Sequence, residues 1–199
     1  MQNNPFAGKK LMTPGPVPMP EAVKKSLAEI ECHHRSKEFG EILQRVLTRL
    51  PEVFETKEPA YLLACTGTGG LEAVMVSTMQ TTRKALFINS GKFGERWGKI
   101  AKSYKIPYDE IQFPWGQDVD LNQVEDYLQK GNYQALAWQA CETSTGALLP
   151  TKELAELSQK HNVLSVVDAI TALGAAHLPT DRWGLDAVIG AYETAFIQQ

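Results

Sequence analysis

The sequence predicts an α/β fold: a mainly parallel sheet with helices on both faces. Short apolar runs at 61–65, 85–89, 135–138, 163–168 and 187–190 have the length and unbroken hydrophobicity of strands buried on both faces. Between them, apolar residues recur at helical spacing over 70–79, 94–104, 121–129 and 151–161. Strand and helix alternating in this way imply parallel pairing through crossovers. The chain has 199 residues, 43% hydrophobic and 22% charged, which is enough to bury one core of good size.

Residues 1–20 are expected to form an extended arm. The run from Leu11 to Pro20 holds four prolines, which exclude helix and central strand. Pro20 suits the first turn of a helix beginning near Glu21, with Ala22, Val23, Leu27 and Ile30 at helical spacing. A second helix fits 38–54, where Phe39, Ile42, Leu43, Val46, Leu47 and Leu50 share one face and Pro51 ends or bends it. The alternating region follows. Asp120 is placed to cap the helix at 121–129, and Thr151 begins the helix at 151–161. Residues 21–199 thus read as one α/β domain.

Bulk properties exclude several functions. A net charge of −3 gives no electrostatic footprint for nucleic acid or an anionic membrane. No apolar run reaches the roughly 18 residues of a membrane span. Residues 1–10 lack the apolar stretch of a signal peptide, so a cytoplasmic protein is expected. Cys32, Cys65 and Cys141 are far apart and odd in number, which fits reduced thiols better than a disulfide framework or a metal site.

Ligands of parallel sheets sit beyond the carboxyl ends of the strands, so the residues just after each strand are the candidates. After 61–65 comes Thr66-Gly67-Thr68-Gly69-Gly70. Its glycines let backbone N–H groups approach an anion, and the following helix adds a partial positive charge. Taken alone, a phosphate cradle and a plain turn are equally good accounts of it. It is not a Walker loop, because no Gly-Lys-Ser/Thr follows. After 85–89, Phe93 lies between Gly91 and Gly94, where its ring could stack on a planar heterocycle or fill the core. After 135–138, the hydroxyls of Thr143, Ser144 and Thr145 could close a turn or donate to a ring substituent. Asp168 ends the apolar run 163–168 and should be partly buried. It could cap a following helix, or hold a protonated ring nitrogen as pyridoxal phosphate requires. Together these residues supply a phosphate cradle, a stacking ring, a hydroxyl donor and a pyridinium carboxylate.

That combination resembles the class V pyridoxal-phosphate-dependent aminotransferases. It is most similar to the alanine/serine–glyoxylate group and to bacterial relatives that carry the label of a soluble hydrogenase subunit. The segments that carry the resemblance are Thr13-Pro14-Gly15-Pro16, His34-Arg35-Ser36-Lys37-Glu38-Phe39, Thr66-Gly67-Thr68-Gly69 with Leu71-Glu72-Ala73, Glu142-Thr143-Ser144-Thr145-Gly146, Val167-Asp168-Ala169 and Trp183-Gly184-Leu185-Asp186 leading to Val188-Ile189-Gly190. The resemblance implies a fold-type I large domain and the cofactor pyridoxal 5'-phosphate. It implies that Thr66, Gly67 and Thr68 hold the phosphate, Phe93 stacks on the ring, and Thr143 donates near the ring 3-oxygen. Asp168 would pair with the ring nitrogen, Ile170 would pack on the other ring face, and Gly15 would line the substrate carboxylate site. It further implies a homodimer, with the Pro-rich arm and His33-His34-Arg35 as interface candidates. Those histidines with Arg35 could instead form a metal or anion site.

The match breaks at the end of the chain. The resemblance implies Gly-Ser-Gln-Lys-Ala after the final strand, where the lysine binds the cofactor covalently and moves the proton. Here Gly190-Ala191-Tyr192-Glu193-Thr194 stands instead, and no lysine follows Lys160. Thr194 cannot form the covalent link, and Glu193 would put a negative charge beside the phosphate. Ala140 is a lesser departure, since the family often carries His there. The resemblance also implies a further strand and a small C-terminal domain that this sequence does not contain. Two functions are therefore weighed. One is a transaminase-type domain that handles amino acids and 2-oxo acids, itself inactive for want of the lysine. The other is a non-catalytic cofactor- or partner-binding module accessory to a full-length enzyme. Cysteine desulfuration is disfavoured, because no cysteine lies past Cys141.

Overall fold

The computed structural model describes residues 8–9, 11–29 and 31–192. Glu193 and Thr194, on which the missing-lysine expectation falls, lie outside the described residues. Residues 11–20 are in neither helix nor strand, as their prolines require. Helix α1 (Glu21–Glu29) follows, and then α2 (Lys37–Phe54). Ser36 caps α2 by accepting from the Phe39 N–H. Pro51 lies inside α2 and does not end it; the chain leaves the helix at Glu55, in the left-handed region at φ 48°.

The alternating region runs α3 (Gly67–Thr78), β1 (Lys84–Asn89), α4 (Glu95–Tyr104), β2 (Tyr108–Gln112), α5 (Leu121–Lys130) and β3 (Tyr133–Gln139). A short hairpin of β4 (Cys141–Glu142) and β5 (Ala147–Leu148) precedes α6 (Thr151–Lys160) and β6 (Leu164–Asp168), and the short α7 (Thr180–Trp183) leads to β7 (Ala187–Ile189). Five strands form one sheet in the order β2-β1-β3-β6-β7, and every pairing is parallel. Asp120 caps α5 by accepting from the Asn122 N–H, as its position predicts.

Alternation along each strand splits the core into two layers. Leu86, Ile88, Leu136, Trp138 and Val167 face α5 and α6, with Val124, Leu128, Leu154 and Ala155 packed against them. Ala85, Phe87, Ala135, Ala137 and Val166 face α3 and α4, meeting Leu71, Met75, Trp97 and Ile100. The result is three layers, helix on sheet on helix.

The expected strand at 61–65 is not formed. Tyr61, Leu62 and Leu63 are exposed (85%, 57% and 53%), and Cys65 donates to the Leu63 carbonyl in a tight local turn. A strand needs a neighbour to complete its ladder, and no described strand lies alongside this run. Conversely, β2 is absent from the sequence-based expectation. Its residues Tyr108-Asp109-Glu110-Ile111-Gln112 are mostly polar because it is the sheet edge and pairs with β1 alone. Helix α3 starts a turn earlier than expected, because Thr66 caps it and glycines are tolerated in a first turn.

One packing detail yields an expected outcome. Trp97 is 1% exposed, stacks on Phe87 at 6.1 Å, and its indole N–H has no acceptor among the described residues. Trp97→Phe removes a buried unsatisfied donor, worth about 1–3 kcal/mol, and opens a cavity of similar cost. The two offset, so urea denaturation should give a stability within about 1 kcal/mol of the parent.

Candidate cofactor site

The carboxyl ends of the parallel strands define one rim. Gln139 pairs with Asp168, and Asp168 with Ile189, so Asp168 sits between two neighbouring strands at this edge. It is 6% exposed. One carboxylate oxygen accepts from the Ile170 N–H at 3.0 Å, a cap-like bond. Among the described residues no lysine or arginine forms an ion pair with it. Burial pushes its pKa up to about 6; the Ile170 N–H and the charge of Arg96 oppose this, and the charge of Glu142 adds to it. A carboxyl group held this way can meet a cationic ring nitrogen; the helix cap that the sequence offered as the plainer account is not formed, because residues 170–172 form a turn and no helix follows until α7.

The Thr66–Thr68 turn belongs to the same rim. A Cβ on Gly67 would collide with Cδ1 of Ile170, two residues beyond Asp168, so cradle and carboxylate lie on one side of the sheet. Thr66 Oγ1 accepts from the Gly69 N–H at 3.3 Å. The N–H groups of Gly67 and Thr68, at the start of α3, have no acceptor among the described residues. Two open N–H groups at a helix start suit a phosphate.

Phe93 is half-buried and joins neither hydrophobic cluster, so it is not core filler. The guanidinium of Arg96 lies 4.7 Å from its ring centre. Thr143 sits on the β4–β5 turn, which Gly146 closes at φ +77°. Its hydroxyl lies 2.6 Å from that of Thr171, the residue after Ile170. The sequence did not single out Thr171, Arg96 or Glu142. The signal available was their place in segments that follow strands.

The other expected positions stand apart. Gly15 is exposed on the arm, and no hydrogen bond ties it to the rim among the described residues. His33 and His34 have ring centres 4.4 Å apart. No group of three metal-ligand residues occurs among the described residues, and no described helix is long and apolar enough to cross a membrane.

The residues present fit pyridoxal phosphate: a buried carboxylate that forms no ion pair among the described residues, open N–H groups at a helix start, and a half-buried ring outside the core. Comparison with known proteins agrees in kind. A protein of Helicobacter pylori described as an uncharacterized aminotransferase is 38% identical over 190 residues, covering 94% of this chain and 50% of that protein. The small subunit of a soluble hydrogenase from a Synechococcus species is 35% identical over 182 residues, covering 89% of this chain and 47% of that protein. The crystal structure of an alanine–glyoxylate aminotransferase from a Nostoc species superposes with a TM-score of 0.86 at 27% identity, over 91% of this chain and 48% of that one. The chain thus spans about half the length of the relatives it matches. The profile of the family described as aminotransferase class-V matches residues 20–191, and the chain belongs to that family.

Proposed function

We propose that this chain binds pyridoxal 5'-phosphate reversibly at the strand-end rim and, without a lysine at the matching position, does not turn over. The observation that carries the proposal is Asp168, buried and in no ion pair among the described residues, on the same rim as the open N–H groups of Gly67 and Thr68. When bound, the cofactor supplies an electron sink for the carbon that loses a proton. The chain's own residues would do the rest. Thr66, Gly67 and Thr68 hold the phosphate at the start of α3. Phe93 covers one ring face and Ile170 the other. Thr143, supported by Thr171, donates near the ring 3-oxygen, and Asp168 keeps the ring nitrogen protonated. By the resemblance, Glu193 replaces a Gln that helps hold the phosphate, and its charge would weaken the grip; Thr194 offers no amine, and Gly15 is assigned to the substrate carboxylate.

The reaction class proposed for the domain is that of its family: an amino group moved from alanine or serine to a glyoxylate- or pyruvate-type 2-oxo acid. Similarity to the Nostoc alanine–glyoxylate enzyme supports this choice. A homodimer is also proposed, supported by the exposed apolar side chains of Val23, Leu27 and Val46 on α1 and α2. The three free cysteines suit a cytoplasmic setting. The sequence at 193–194 equally favours a non-catalytic module that accompanies a full-length enzyme.

Titration with pyridoxal phosphate, followed by borohydride, tests the proposal. A saturable, dialysable change in the cofactor spectrum with no trapped adduct is expected. Absence of binding, a borohydride-trapped adduct, or transamination faster than with free cofactor would each contradict it.

A further inference from the structure

Glu142 is fully buried, and every group that meets its carboxylate is a donor. The Phe93 N–H reaches both oxygens at 3.2 Å. The Gly94 N–H and the Gln139 amide donate to one oxygen, at 3.0 and 3.1 Å. The Ser144 N–H and hydroxyl donate to the other, at 3.1 and 2.5 Å. Ser144 Oγ in turn accepts from the Lys92 N–H at 3.1 Å. A Cβ on Gly91 would sit 2.5 Å from Glu142 Cδ, so the 91–94 loop is laid directly against this side chain. No lysine or arginine forms an ion pair with Glu142 among the described residues.

Such an arrangement is expensive to build. A buried carboxylate without a cation is tolerated only when donors satisfy both oxygens. Here the donors come from Gln139 at the end of β3 and from two loops at different strand ends, the 91–94 loop after β1 and the 143–146 turn after β4. One loop carries Phe93 and the other Thr143. A plain structural clasp would need neither the charge nor the convergence, since both loops already have other anchors at their bases. The side-chain oxygen of Asn89 accepts the Gly91 N–H, and Glu142's own carbonyl accepts from Thr145 and Gly146.

We propose that Glu142 is a positioning residue that locks the stacking ring of Phe93 and the hydroxyl of Thr143 into one frame, fixing the slot for the pyridine ring. The proposal rests on the cofactor reading above. Its physical basis is pre-organisation: a loop already held in place loses little freedom when a ligand arrives. Glu142→Gln keeps the shape but turns an amide N–H₂ toward backbone N–H groups, so at least one loop must let go. Ser144→Ala keeps the carboxylate and removes one donor and the link to Lys92, which separates geometric hold from charge.

The test uses the full chain and two readouts. The first needs no cofactor: amide hydrogen exchange at Phe93 and Gly94. Glu142→Gln should speed it about tenfold or more, while β3 and α6 keep their protection, and Ser144→Ala should fall between. The second is affinity for pyridoxal phosphate against affinity for inorganic phosphate. Glu142→Gln should weaken the first about tenfold, the scale of one aromatic stacking contact, and leave the second within about twofold. Phe93→Ala should weaken cofactor binding in the parent but add less than about threefold in the Glu142→Gln background, because both act through one ring. Unchanged exchange at Phe93 and Gly94 overturns the proposal. So does an equal loss of phosphate and cofactor affinity, or losses that multiply, either of which marks a merely structural role. If exchange responds but the parent chain binds no pyridoxal phosphate, the cofactor reading fails and the ring-positioning role fails with it, while Glu142's hold on the loop stands.

Discussion

Asp168→Asn should make the cofactor-free chain more stable at pH 8 while stripping it of pyridoxal phosphate. The two effects share one cause, a carboxylate buried with no ion pair among the described residues. Its folded pKa of about 6 lies above the ordinary aspartate value of 3.8. The folded chain therefore binds this proton more tightly than the unfolded chain does. Stability from this group is highest below about pH 4, declines as pH rises, and is lowest above about pH 6, by about 3 kcal/mol in all. Asparagine abolishes the ionisation but leaves an amide N–H₂ to satisfy, which costs about 1–3 kcal/mol. The net gain at pH 8 should be on the order of 1 kcal/mol, and the variant's advantage should grow by about 1 kcal/mol between pH 5 and pH 8. Urea denaturation at both pH values reads this directly. Cofactor affinity should move the other way, by hundredfold or more, the scale of breaking a buried charge pair. A variant that binds pyridoxal phosphate as tightly as the parent removes Asp168 from the site.

Trp138→Ala should be the most damaging single change in the core. Trp138 is fully buried near the centre of the sheet, on the face covered by α5 and α6, and its indole N–H donates to Thr151 Oγ1 at 3.2 Å. Truncation removes packing and a bond to the first residue of α6, for a loss of about 3–5 kcal/mol. Against a typical total of about 5–15 kcal/mol, the variant should be recovered largely unfolded or with a much lower urea midpoint. Trp138→Phe should lose clearly less. Both indoles are buried, but among the described residues only that of Trp138 has an acceptor, so the same substitution to phenylalanine should cost more at 138 than at 97. A midpoint for Trp138→Ala near that of the parent would mean that the two-layer core is wrongly drawn.

How much of this was legible in the sequence depended on whether a signal was local. The strands ending at Asn89, Gln139 and Asp168 announce themselves because parallel sheet interiors are apolar on both faces. Asp120 is a cap whose partners lie two or three residues away. The 61–65 run shows the limit of composition. It is apolar enough to be a buried strand, but burial is a property of the neighbour, and none of the described residues supplies one. The edge strand β2 fails in the opposite sense, since polarity hides a strand that needs only one partner. The rim residues were chosen from their positions after strands, and the structure sets Asp168, Ile170 and the Gly67 turn together. Glu142 escaped notice because its role exists only in three dimensions. Its partners at Phe93 and Gly94 lie 49 and 48 residues away.

Whether Asp168 holds a protonated ring nitrogen is read by nitrogen NMR of pyridoxal phosphate labelled at that atom. Bound to this chain at pH 8, the label should show the shift of a protonated pyridinium, and Asp168→Asn should abolish that signal. A bound cofactor whose ring nitrogen remains a neutral pyridine in the parent chain would contradict the account.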